Sequence, residues 1–156
     1  MMRKPAGSVI VRVFCLITIF QVSVLWAESP KFPPLVPPMD LDEARSIQNP
    51  YPMSKEMVAA GKAIYEGKAY CAACHGKDGR GFGKTVDPAS VDYPLPRDFT
   101  NGSWQESRTD GELFWVLMNG SHGTDMAPFF PLYLSEMETW QVVAYIRTFW
   151  DQGRKL

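Results

Sequence analysis

The sequence predicts an all-α fold of three to four helices joined by long loops, and three observations carry that expectation. Thr109 with Glu112 and Ser135 with Glu138 each stand three residues apart at the head of an apolar stretch, the signature of a capped helix start. Apolar residues elsewhere recur at spacings of three and four rather than alternating, and almost no sheet is expected. The loops between these segments are long for a compact domain, and loops of that kind wrap something.

The chain has 156 residues, 46% apolar and 21% charged, which fits one soluble globular domain with its own core plus tails. Residues 1–27 read as an export signal. Arg3 and Lys4 precede an apolar run over 13–25, and cleavage is expected after Ala27. The alternative is an uncleaved membrane anchor, although the run is short against the roughly 20 apolar residues a span requires. Cys15 lies inside this run behind Phe14 and reads as one more apolar residue.

Removal of residues 1–27 leaves 13 basic and 17 acidic residues, a net charge of −4. That balance argues against nucleic acid as a partner. Residues 28–53 hold seven prolines, which remove backbone donors and favour extended conformations. The segment is expected to be an arm, with room for one helical turn over 40–45, and the folded domain is expected over 54–152.

Ser54 is a good N-cap for the first helix, with Glu56 in the first turn where the helix dipole favours it. Met57, Gly61, Ile64 and Tyr65 give it an apolar stripe, and it is expected to run to about Tyr70. Glycines at 76, 79, 81 and 83 then open a loop, and residues 86–103 read as coil. The helix capped by Thr109 is heavily apolar and stops at Gly120. The helix capped by Ser135 is expected to reach about Trp150, and Met118 and Met137 read as core residues of the last two helices.

After the N-terminal run only Cys71 and Cys74 remain, so a disulfide scaffold is excluded. Cys71-Ala72-Ala73-Cys74-His75 has the spacing at which two thiols on one turn can add to the vinyl groups of a single haem, while the next residue turns toward the iron. His75 then offers a neutral imidazole nitrogen to the metal, and its other ring nitrogen should donate to a carbonyl, with Pro88, Pro94 and Pro96 as candidates. Zinc is poorly supplied, since His122 is the only other histidine and no second cysteine pair exists. A thioredoxin-like dithiol expects a βαβ context that is missing here.

For the sixth iron position the glycine-rich loop from Asn119 to Phe129 offers Met126, a soft thioether that raises the potential and suits an electron carrier. His122 is its rival. A vacant sixth site would instead permit ligand binding or peroxide chemistry. Phe114, Trp115, Phe129 and Phe130 either pack on the haem or belong to the core. Lys62, Lys68, Lys77, Arg80 and Lys84 either ring an exposed haem edge or form an ordinary solvated face, the plainer reading being preferred in an acidic chain.

From about Asn49 to Phe149 the sequence resembles the class I c-type cytochromes, in particular bacterial monohaem domains similar to the cytochrome c subunits of cbb3-type oxidases. The resemblance lies in Ala60-Gly61-Lys62-Ala63-Ile64-Tyr65, Cys71-Ala72-Ala73-Cys74-His75-Gly76, Asp78-Gly79-Arg80-Gly81, Pro96-Arg97-Asp98-Phe99-Thr100, Gly123-Thr124-Asp125-Met126 and Trp140-Gln141-Val142-Val143-Ala144-Tyr145-Ile146. It implies the cytochrome c fold, three to four helices and long loops around one covalently bound haem c. First and last helices would cross closely, Gly61 and Tyr65 facing Val142 and Tyr145. It also supports Met126 as the sixth ligand, although the family's Met-Pro is here Met-Ala-Pro.

The implied function is that of an electron carrier and not an enzyme, passing single electrons between periplasmic or membrane-bound redox proteins of a respiratory chain. The alternatives are a haem enzyme or gas sensor with a labile sixth ligand, and a tethered cytochrome subunit of a dehydrogenase or terminal oxidase. A cleaved signal implies a periplasmic location, an uncleaved one a membrane-anchored protein.

Overall fold

The computed structural model describes residues 35–82, 90 and 94–153, the side chains of 151–153 excepted. The expected signal segment 1–27, Lys84 and Pro88 lie outside the described residues. Among those described there are helices and no strands: α1 (Leu41–Ser46), α2 (Lys55–Glu66), α3 (Cys71–His75), α4 (Gly102–Glu106), α5 (Asp110–Asn119) and α6 (Glu136–Gly153). The all-α class stands. The count exceeds three to four because α1, α3 and α4 are single turns, too short for apolar periodicity to register. None of these helices is long and apolar enough to cross a membrane.

The long helices begin where side-chain chemistry starts them. Ser54 Oγ accepts the Met57 N–H at 3.1 Å at the head of α2. Thr109 and Glu112 exchange backbone and side-chain bonds of 3.1 and 2.7 Å at the head of α5, and Ser135 and Glu138 do the same at the head of α6, at 3.3 and 2.9 Å. Each box satisfies N–H groups that no helical carbonyl can reach. Helix α2 stops four residues short of the expected Tyr70. Gly67 leaves the helical region, its N–H closing on the Ala63 carbonyl at 3.0 Å, and the Ala69 N–H reaches back to Ile64 at 3.1 Å.

The core forms where α2 crosses α6. Met57, Gly61, Ile64 and Tyr65 on α2 are buried against α6, which turns Thr139, Trp140, residues 142–146 and Phe149 inward. A methyl group at Gly61 would overlap the Gln141 carbonyl and stand 3.1 Å from Tyr145 Cβ. The backbone of Gln141 is therefore what meets Gly61 first, with Tyr145 beside it. Tyr65 packs edge-on against Tyr145 with ring centroids 5.2 Å apart. Met137 corrects the sequence expectation: it is 48% exposed, in the first turn of α6. Met118 is half-buried against the core.

Helix α5 joins the core through Phe114, stacked on Trp140 at 4.3 Å. Its other face holds Trp115 in a second cluster with Val36 and Ala44, so residues 36–47 of the proline-rich segment pack on the helical body. Glu112 is buried beneath them, its Oε1 lying 3.6 Å from Arg45 Nε.

Candidate functional site

Tyr70 adopts a left-handed conformation, φ 51°, and turns the chain into the new helix α3. On that single turn Cys71 and Cys74 stand three residues apart, so their side chains share one side. Both are free thiols, Cys71 half-buried and Cys74 exposed. Burial pushes the Cys71 thiol up to about 11, which keeps it protonated at neutral pH. Among the described residues no group of three or more His, Cys, Asp and Glu side chains gathers as a metal-ion site.

His75 ends α3, and its Nδ1 lies 3.2 Å from the Arg97 carbonyl. A carbonyl can only accept, so Nδ1 carries the hydrogen and the Nε2 lone pair remains available. Burial holds the imidazole's pKa below its ordinary value against the opposing pull of that carbonyl. The ring is thus a neutral donor of defined tautomer, the form a metal requires. The acceptor is Arg97 and not the neighbouring Pro96, whose carbonyl lies against Gly81, where an added Cβ would meet it at 2.7 Å.

The loop after α3 is folded tightly onto this arrangement. The Gly81 N–H donates to the His75 carbonyl at 2.8 Å, and the Phe99 N–H to the Gly79 carbonyl at 2.7 Å. Gly79 and Gly81 have φ of 73° and 63°, a region that costs side-chain-bearing residues. At Gly79 a Cβ would also strike the Phe149 ring at 2.7 Å. Tyr65, whose phenol burial holds protonated, donates to the Gly76 carbonyl at 2.9 Å and ties α2 to the same loop.

Met126 is half-buried against the hydrophobic core, whose margin also includes Cys71 and Ala72. Its loop is closed by its own polar groups. Ser121 N–H donates to the Met126 carbonyl at 3.0 Å, while Thr124 Oγ1 donates to the Ser121 carbonyl at 2.7 Å and accepts from Met126 N–H at 3.2 Å. The Leu117 carbonyl at the end of α5 then takes the Phe129 N–H at 2.9 Å. A cleft of about 200 Å³, lined by Pro94, Gly123, Thr124 and Asp125, separates this loop from the segment leading to Arg97. His122 is exposed in the same loop.

The aromatic side chain beside His75 is one that was not singled out for that place. Phe99 stacks on the imidazole with ring centroids 4.4 Å apart and planes 17° from parallel. Phe114 and Trp115 are instead committed to the two clusters on either face of α5. Of the five basic residues near α3, Lys62 lies 3.9 Å from Glu66, Lys68 2.6 Å from Glu138 and Arg80 3.8 Å from Asp78. Those three are paired on the surface.

A cytochrome c family model matches residues 58–150. Comparison with curated proteins finds no significant match. Among solved structures, a chain of the reducing HAO-like protein complex of Kuenenia stuttgartiensis is similar, with a TM-score of 0.52 and 26% identity, over 70% of this chain and 54% of that one. The present chain therefore spans about half the length of that solved relative.

Proposed function

The chain belongs to the cytochrome c family, and on that premise we propose that it is an electron carrier with one haem c, bound covalently by Cys71 and Cys74 and ligated by His75 and Met126. The observation that carries the reading is the α3 turn. It presents two cysteines three residues apart and outside any disulfide, followed by an imidazole whose Nδ1 is engaged by the Arg97 carbonyl and whose Nε2 is not. That donor set fits a covalently held haem, whereas zinc would want further ligands.

When bound, the haem supplies a one-electron Fe(III)/Fe(II) couple, which a His/Met ligand pair sets high. The chain's own residues do the rest. His75 is held as a neutral donor, and Thr124 and Ser121 close the loop that carries Met126. The proposed partners are periplasmic or membrane-bound redox proteins. The basic start and apolar run of residues 1–27 support export to the periplasm, and an uncleaved signal would leave the protein anchored. The finer likeness to cbb3-type oxidase subunits is supported by the sequence motifs of the first and last helices.

A second reading is favoured by the solved relative, which is part of a multi-chain complex. In that reading the present chain is the cytochrome subunit of a larger redox enzyme, and it co-purifies with its partner in mild detergent. The two readings share the same ligands. In the oxidised protein, sulfur ligation gives a weak absorption band at the red edge of the visible. Met126→Ala is expected to abolish that band and lower the reduction potential, since the thioether favours Fe(II). A retained band would overturn Met126 as the sixth ligand. Binding of carbon monoxide by the reduced parent protein would mark a labile sixth site and favour a haem enzyme or sensor.

A further inference from the structure

Gln105 in α4 is 1% exposed, and its amide is fully engaged. Its Nε2 donates to the Phe99 carbonyl at 2.8 Å and to the Ile146 carbonyl at 3.0 Å. Its Oε1 accepts from an Arg147 Nη at 2.7 Å. Carbonyls only accept and a guanidinium only donates, so the network admits a single orientation of the amide. Arg147 is in turn fixed by the Gln105 and Arg108 carbonyls, at 2.8 and 2.7 Å, and by Asp110 Oδ1 at 2.6 Å.

The other end of this network is the face of His75. Phe99, whose carbonyl Gln105 holds, lies parallel on the imidazole. Two residues earlier, Arg97 takes the Nδ1 hydrogen on its carbonyl. Both contacts thus come from a three-residue segment of irregular backbone. Gln105 ties that segment to α4 and α6, and the Phe99 N–H ties it to Gly79.

We propose that Gln105 and Arg147 are positioning residues for His75. They hold residues 97–99 so that the Arg97 carbonyl and the Phe99 ring fix the tautomer and plane of the imidazole, and with them its strength as a donor. This rests on His75 being an iron ligand. A bond from Nδ1–H to a carbonyl raises ligand basicity and favours Fe(III), so loosening the segment raises the reduction potential.

The test uses the haem-loaded full chain carrying Gln105→Met, which keeps the volume and removes the amide, and Arg147→Lys, which keeps the charge and loses the fork. Solvent exchange of the His75 Nδ1 hydrogen, followed by NMR in the reduced state, is expected to quicken about three- to tenfold in Gln105→Met, the worth of one net hydrogen bond. Arg147→Lys moves it in the same direction by less, and the potential rises in both. Trp115→Leu, in the second cluster, lowers stability and leaves both readouts at parent values. Unchanged exchange and potential in Arg147→Lys and in any Gln105→Met that folds would overturn the proposal, as would an equal response in Trp115→Leu. A parent chain that carries no haem would instead overturn the ligand reading itself, and this inference with it.

Discussion

His75, the proposed iron ligand, shows how much of such a residue's behaviour is set by atoms that carry no side-chain identity. Its tautomer is decided by the backbone carbonyl of Arg97 and its plane by the ring of Phe99. A backbone acceptor leaves no mark in a sequence, which is why the three nearby prolines were the natural candidates and the residue after the third supplies the bond. Gly61 is the opposite case. The resemblance to c-type cytochromes implies a close helix approach at Gly61, and the Gln141 carbonyl occupies the space a side chain would need. Since the obstacle is backbone and not the flexible end of a side chain, Gly61→Val forces α2 and α6 apart. The variant is expected to lose about 1–3 kcal/mol, read as a lower denaturant midpoint with an unchanged slope. An unchanged midpoint would mean that the crossing is not close.

At the scale of elements, what the sequence disclosed was what local chemistry determines. The starts of α2, α5 and α6 are written in Ser54, Thr109 with Glu112, and Ser135 with Glu138, because a cap and the N–H it accepts from sit within one turn. The short helices are only partly written locally, as at the head of α4, where Asn101 Oδ1 accepts the Trp104 N–H at 3.1 Å. The carbonyls of Gln105 and Arg108 around the end of α4 find Arg147 on α6, and α1 is held by the apolar face of Trp115. A single turn has too few internal bonds to stand alone, so distant partners decide it.

The junction of α2 and α6 has a pH dependence of its own. The Lys68 ammonium, assisted by the Ser135 N–H, holds the Glu138 carboxyl below its ordinary value of 4.5. A carboxyl depressed in the folded state contributes stability above its unfolded pKa and loses it as pH falls through the folded one. The thermal midpoint is therefore expected to drop as the pH falls below the ordinary carboxylate range, and to drop less in Glu138→Gln. The pair is on the surface and contributes at most about 1 kcal/mol, less in high salt. Identical acid profiles in parent and variant would remove it from the account.

Taken as a whole molecule, the chain uses its two long crossed helices as a frame and its irregular segments as the lining of a site. The segment before α4 brings the carbonyl and ring for His75, and the loop after α5 brings Met126 to the margin of the same core as Cys71. The core residues and the thiol pair were legible because apolar spacing and the Cys71–Cys74–His75 spacing are both sequence properties. The way the two loops face each other across a cleft was not, since loop packing depends on residues dozens of positions apart, as Gln105 and Arg147 show. Half-burial of Met126 and exposure of His122 accord with the thioether as the closer candidate for a site at the core margin.

The most direct test of the central claim is the intact mass of the protein after acid extraction, which strips a haem held only by coordination. The parent chain is expected to retain the mass of one haem, and a chain carrying both Cys71→Ser and Cys74→Ser to retain none. A parent whose mass is that of the bare polypeptide, or a double variant that still carries the added mass, would contradict covalent attachment at α3.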